Sequence, residues 1–314
     1  MEFCFFGNSN FSLSVLNNLL EQSFVPKLII TTSPKPIGRK QEITPNEVDV
    51  FAKEHDIKVI YGDHLKDEEF ITELKNEKIS CAVLASFGKI LPRQILKIFS
   101  CGIINIHPSL LPKYRGPSPI QSALLNGDIE TGTTLFIIDE GIDNGPVIGQ
   151  MHAEIEINDT FESLSNKLAI LGAKLVINLG PQYKEGKVFV KPQKESEATF
   201  TTKFKREDGK VDWNNPSQKI YNQIRALSTE PGTYCFFEKD GEQNVLKIHQ
   251  TNLIQLEGIS DFSKINPGTV IEHESHFLVT TSDGLIDLLC VQPEGKNVMS
   301  GSAFLNGNKI SQLC

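Results

Sequence analysis

The stretch "SCAVLASFGKILPRQILKIFSCGIINIHPSLLPKYRGPSP", Ser80 to Pro119, holds two β-rich apolar runs, 80–86 and 102–107, joined by an amphipathic stretch over 91–99. That order makes a strand–helix–strand unit, which implies parallel strands. The second run ends in Asn105-Ile106-His107 and is followed by Pro108, Pro112, Pro117 and Pro119. Alternate residues of a strand share a face, so Asn105 and His107 project together from its carboxyl end. In sheets of this kind ligands bind beyond that end.

The same alternation runs outward through the first half. Apolar, β-rich runs recur at 2–6, 27–32, 57–61 and 133–139, with helical patterns at 12–22, 46–55, 67–77, 117–126 and 160–183. An α/β class follows, with a mostly parallel sheet covered by helices on both faces. The turn after the first run, "FFGNSNF" (5–11), has one glycine where a dinucleotide fingerprint needs three, so dinucleotide binding is disfavoured.

From about Asp208 the texture changes. "TYCFFEKDGEQNVLKIHQTNLI" (233–254) and "HFLVTTSDGLIDLLCVQ" (276–292) are short strands broken by Asp-Gly turns, the pattern of a meander or small barrel. One helix is predicted over 216–227, with Asn215 or Ser217 near its start. The chain therefore divides into a first domain over 1–183, a linker over 184–206 and a second domain over 207–314.

Charge sharpens that division. The 314 residues carry a net charge of −8, which argues against non-specific nucleic-acid binding as a bulk property. The first domain has 16 Lys and Arg against 22 Asp and Glu, and the second has 8 against 14. The linker has seven against three, so a basic segment joins two acidic bodies. No apolar run reaches the roughly 20 residues of a membrane span, and the amino terminus does not read as a signal peptide. The six cysteines show no CxxC spacing, which points to free thiols in a reducing, cytoplasmic setting.

Asn105 and His107 suit attack on a carbonyl: a carboxamide donates to an oxyanion and an imidazole handles a proton. An acid to orient the imidazole is needed, and Asp143 in "IIDEGIDNGPVIGQ" (137–150) is the candidate, from a glycine-bracketed turn after the 133–139 run. No Ser or Cys nucleophile belongs to this set, which favours direct transfer between two bound substrates.

The block "NIHPSLLPKYRGPSPIQSALLNGDIETGTTLFIIDEGIDNGPVI" (105–148) resembles the core of the folate-dependent formyltransferases. "SFGKILP" (86–92) resembles their pterin-binding segment. "PKPIGRKQEITP" (34–45) and the tail resemble the insertion loop and carboxy-terminal domain of the branch that acts on a charged tRNA. The resemblance implies a Rossmann-like formyltransferase domain followed by an OB-like β-barrel. It implies Asn105, His107 and Asp143 as the catalytic set, and Phe87, Gly88, Lys89, Ile90, Leu91, Ser109, Leu110, Leu111 and Pro112 around the folate. It implies Arg39, Lys40, Lys203, Lys205 and Arg206 as tRNA contacts. The cosubstrate implied is 10-formyltetrahydrofolate, with no metal, and the acceptor is initiator methionyl-tRNA, met by a cytoplasmic, non-membrane monomer. Two departures bear on the RNA: Gln41 and Glu42 stand where the family's loop is richer in Lys and Gly, and the second domain is acidic. Formylation of a nucleotide-linked amino sugar is the rival reading, but that variant should lack the tRNA-type tail.

Overall fold

The computed structural model describes residues 1–37, 41–254, 265–273 and 275–314. It divides into two compact units. The first comprises Met1–Pro119, Glu130–Glu154 and Leu164–Thr201; the second comprises Ile120–Ile129, Ile155–Ser163 and Thr202–Cys314.

The core of the first unit is a seven-stranded sheet. In chain order its elements are β1 (Cys4–Phe6), α1 (Asn10–Glu21), β2 (Leu28–Thr31), the small hairpin β3 (Lys35–Ile37) and β4 (Glu42–Thr44), α2 (Glu47–Glu54), β5 (Lys58–Tyr61), α3 (Glu68–Asn76), β6 (Ala82–Leu84), α4 (Arg93–Leu96), β7 (Ile103–His107), β8 (Glu130–Ile137), β9 (Val147–Glu154) and α6 (Phe161–Lys184); α5 (Pro119–Asn126), between β7 and β8 in the chain, belongs to the second unit from Ile120 onward. The order across the sheet is β5-β2-β1-β6-β7-β8-β9. The five strands from β5 to β7 are parallel, whereas β8 and β9 are antiparallel additions. Strands β1, β2, β6 and β7 are buried along their whole length, as parallel strands covered on both faces must be. The expected mostly parallel α/β sheet is therefore present. Strand β9 is additional to the predicted runs, and the helix predicted over 91–99 contracts to the single turn of α4.

The turn after β1 explains its lone glycine. A Cβ on Gly7 would press 2.6 Å from the Ser12 Cβ. The Ser12 hydroxyl receives the Asn8 and Ser9 amides at 3.1 and 3.2 Å and donates to the Ala85 carbonyl at 2.6 Å. The amides with which a dinucleotide fold would hold a pyrophosphate are thus already bonded inside the chain.

The second unit is built on an antiparallel sheet in the order β10-β11-β14-β13-β12, with β15 added to β14. These strands are β10 (Thr233–Lys239), β11 (Glu242–Ile254), β12 (Val270–His273), β13 (His276–Thr280), β14 (Leu285–Pro293) and β15 (Met299–Ser300); α7 (Ser217–Leu227) and α8 (Gly301–Asn306) accompany them. The carboxy-terminal residues join the two sheet edges. Phe236 and Cys314 exchange amide hydrogen bonds at 2.8 Å, while Leu313 donates to Gly268 at 2.8 Å and Val270 to Ser311 at 2.9 Å. The meander predicted from the tail closes in this way into a small barrel around Trp213, Phe237, Phe277, Phe304 and Leu313. Helix α7 begins one residue after Pro216 and is capped neither by Asn215 nor by Ser217; Asp283 accepts the Ser217 amide at 2.7 Å instead.

Candidate functional site

Strand β7 delivers two polar side chains from an otherwise apolar run. Its neighbours fix their depth: Asn105 pairs with Leu84 of β6 and Phe136 of β8, and His107 pairs with Thr134. Both side chains are buried. The imidazole has defined partners. Its Nε2 lies 2.9 Å from the Tyr114 carbonyl oxygen, which can only accept, so Nε2 carries a proton. Its Nδ1 faces Asp143 Oδ2 at 3.6 Å. A second proton, on Nδ1, makes an imidazolium directed at that carboxylate.

Asp143 comes from the turn between β8 and β9 and has φ of +48°, the left-handed region. Asp enters that region more readily than bulky residues do. Its Oδ2 accepts the Gly116 amide at 2.7 Å. Two residues further on, a Cβ at Gly145 would overlap the Ile137 carbonyl oxygen, so only glycine lets the turn close on β8. The Asn105 Oδ1 position is buried and has no hydrogen-bond partner among the described residues. A carboxamide turned about its last torsion presents its N–H there instead, so this position can accept from or donate to a bound molecule.

The loop after His107 is held from below. Thr134 donates to the Ser109 carbonyl at 2.6 Å and accepts the Leu111 amide at 3.0 Å. Gln150 bonds both Thr134 at 2.9 Å and the Leu111 carbonyl at 2.8 Å. The Ser109 hydroxyl turns inward to the Lys113 carbonyl, 2.6 Å away, and Leu111 is buried. Leu110 lies against Gly132, and the Pro112 carbonyl receives the Thr199 amide at 3.2 Å.

The 86–91 loop, beyond the carboxyl end of β6, separates into inward and outward residues. Phe87 and Leu91 belong to the core, Phe87 edge-on to Phe6 with ring centres 5.4 Å apart. Gly88 has φ of +72° and open space where a Cβ would point, and Ile90 is 93% exposed. Lys89 folds back, donating to the Gly62 and Asp63 carbonyls at 2.8 and 2.9 Å. The Asp63 carboxyl is partly buried, which raises its pKa, but the Ser33 amide and the Lys89 and Lys35 ammonium groups outweigh burial and hold it below the usual 3.8.

Lys203, Lys205 and Arg206 lie in the second unit and are exposed; Arg39 and Lys40 fall outside the described residues. Several residues that the local pattern does not mark prove to hold the site: Tyr114, Arg115, Gly116, Thr134, Gln150 and Gln193. Apart from Thr134, opposite His107 in register, they reach it through side-chain or loop bonds that no local periodicity encodes.

Comparison with known proteins places this geometry. Residues 1–179 match the model of the formyl transferase family, and residues 203–309 match the formyl transferase carboxy-terminal domain. The methionyl-tRNA formyltransferase of Thermodesulfovibrio yellowstonii is 37% identical over 98% of this chain and 96% of its own. That of Caldicellulosiruptor saccharolyticus is 37% identical over 99% and 98%. Among solved structures, HypX from Aquifex aeolicus in complex with tetrahydrofolic acid superposes with a TM-score of 0.68 at 17% identity, over 97% of this chain and 47% of that one. This chain thus spans about half the length of HypX. WlaRD, a sugar 3N-formyl transferase, gives 0.62 at 23% identity over 95% and 99%. Two family models covering both parts of the chain, and relatives matching it end to end, make this protein a member of the formyl transferase family.

Proposed function

We propose that this chain transfers the formyl group of 10-formyltetrahydrofolate to the α-amino group of methionine esterified to initiator tRNA. The observation that carries the chemistry is the His107–Asp143 pair beside Asn105, whose carboxamide holds a buried position without a hydrogen-bond partner among the described residues. The end-to-end similarity to methionyl-tRNA formyltransferases supports the acceptor.

In this reading the methionyl amine attacks the formyl carbon, its new C–N bond replacing the bond to folate N10. The amine loses a proton and N10 gains one. Asn105 turns its N–H toward the developing oxyanion. His107 stays bonded to Tyr114 through Nε2 and, when Nδ1 is protonated, places positive charge beside that oxyanion, where burial strengthens the attraction. Asp143 stabilises the imidazolium and passes the amine proton on. The folate rests against the Gly88–Ile90 rim, where open space and an exposed apolar side chain fit a flat ring; Phe87, Leu91, Ser109 and Leu111 shape the site from within the core, with Leu110 and Pro112 as the loop they hold.

For the RNA, Lys203, Lys205 and Arg206 supply phosphate contacts at the barrel. Arg206 lies over the Tyr234 ring at 5.8 Å and Lys210 over Phe236 at 5.3 Å, and a cavity of about 370 Å³ opens between Arg206, Tyr234, Lys247 and Gln292. Cations interleaved with aromatic rings suit a nucleic-acid backbone and its bases. Arg39 and Lys40 join them as loop contacts in this proposal.

The test offers 10-formyltetrahydrofolate with charged initiator methionyl-tRNA, charged elongator methionyl-tRNA, or a nucleotide-linked amino sugar. Formyl-methionine on the initiator tRNA is the expected product. Formyl transfer to the sugar alone would overturn the proposal.

A further inference from the structure

We infer that Gln193 and Arg115 are positioning residues for Asp143, forming with it a closed ring of hydrogen bonds that sets the acid against His107. This rests on the catalytic reading of Asp143 proposed above.

The ring can be traced bond by bond. Gln193 Nε2 donates to the main-chain carbonyls of Asp143 and Gly145, both at 2.8 Å. Its Oε1 accepts from Arg115 Nε at 3.1 Å. The Arg115 main chain is laced to the extended segment after Gln193: its amide donates to the Thr199 carbonyl at 2.9 Å and its carbonyl accepts the Thr201 amide at 2.8 Å. The next residue, Gly116, donates its amide to Asp143 Oδ2 at 2.7 Å and closes the circuit. Asp143 is therefore gripped twice, by its main chain through Gln193 and by its carboxylate through Gly116. Both grips lead to Arg115.

The chemistry of each member fits this role. A carboxamide offers one acceptor and two N–H donors, and Gln193 uses all of them in one orientation. Glutamate there would turn oxygen lone pairs toward two carbonyl oxygens. Asp143 sits at a φ of +48°, which a residue with a side chain adopts only when its surroundings enforce it. Arg115 is 1% exposed, with Nη1 neutralised by Glu195 at 2.9 Å and Nη2 buried without a hydrogen-bond partner among the described residues. A guanidinium buried with both N–H of one nitrogen unmatched stabilises a fold poorly, so its value lies in what Nε and the main chain hold in place.

The test uses Gln193→Glu in the full chain, because Gln193 is only partly buried and the replacement is nearly isosteric. We expect kcat to fall about 10²-fold with KM for 10-formyltetrahydrofolate within about twofold, the signature of a displaced reacting group. Because Gln193 acts through Asp143, Gln193→Glu combined with Asp143→Asn should be no slower than Asp143→Asn alone, within about threefold. Amide exchange read by NMR should accelerate at least about tenfold at Gly116 and stay unchanged at Thr201. A Gln193→Glu enzyme with wild-type kcat, losses that multiply in the double variant, or unchanged exchange at Gly116 would each overturn the inference. The exchange arm needs no turnover. A wild-type chain that formylates no acceptor would therefore remove the catalytic reading while Gly116 still decides whether the ring exists.

Discussion

His107 Nδ1 stands 3.6 Å from Asp143 Oδ2 while the opposite ring nitrogen is fixed on the Tyr114 carbonyl. The imidazole is thereby held in one tautomer and one orientation, and its variable proton lies on the side of the carboxylate. This pairing links a strand end to a turn 36 residues further along the chain (107 to 143) and is the centre of the proposed chemistry.

Asp143→Asn keeps an acceptor for the Gly116 amide but removes the charge that favours the imidazolium. Turnover should fall by about 10²- to 10⁴-fold, the range for a lost acid–base partner. Steady-state kinetics at saturating folate and tRNA measure it, and KM for both should change little.

Asn105→Ala removes the one side chain of the set with an open hydrogen-bonding position. The loss should be about 3 kcal/mol of transition-state stabilisation, or about 10²-fold in kcat. Folding should survive, since Asn105 Oδ1 makes no hydrogen bond among the described residues. An equal loss in tRNA binding and none in kcat would contradict the oxyanion role.

Neutralising Lys203, Lys205 and Arg206 together should raise KM for the tRNA and leave KM for 10-formyltetrahydrofolate unchanged. The dependence of log KM on log salt should flatten by about 0.9 for each duplex phosphate that is no longer neutralised. An unchanged salt slope would place the RNA elsewhere on the chain.

The Lys89–Asp63 clasp gives a pH-dependent signature. Asp63 has a folded pKa below 3.8, so its ionised form stabilises the native state above that value, and the contribution disappears as pH falls through the lower folded value. Asp63→Asn should therefore lower the melting temperature at neutral pH, and the difference from the wild type should shrink progressively as the pH falls below 3.8. A difference that persists unchanged in acid would show that the clasp acts by packing alone.

Leu313 is buried where the carboxy terminus closes the barrel. Leu313→Ala should destabilise the second unit by about 2–4 kcal/mol through lost burial and the cavity left behind. Denaturant unfolding followed at Trp213 reports it, and a change under about 0.5 kcal/mol would contradict the closed barrel.

Strands β1, β2, β6 and β7 are legible in the sequence because burial on both faces leaves continuous apolar runs such as "CFF" and "IINIH", whereas the exposed hairpin strand β4 leaves no such run. Strand β9 is not, because "VIGQMHAE" lies at the sheet edge and alternates with polar and glycine residues. Helix α4 is overstated by pattern: the chain between Pro92 and Gly102 makes one helical turn and then a series of tight turns. Within the site, Asn105 and His107 follow from strand alternation, and Asp143 follows from its glycine-flanked turn. The inward roles of Phe87 and Leu91 require the packed core. The Gln193 bonds require a segment 50 residues beyond Asp143, a separation that local pattern does not carry.

The most direct measurement of the central claim is the single-turnover rate of formyl transfer to initiator methionyl-tRNA by His107→Ala, at saturating 10-formyltetrahydrofolate and enzyme in excess. The rate should fall at least about 10²-fold below wild type with the tRNA still bound. A His107→Ala rate close to that of the wild type would contradict it.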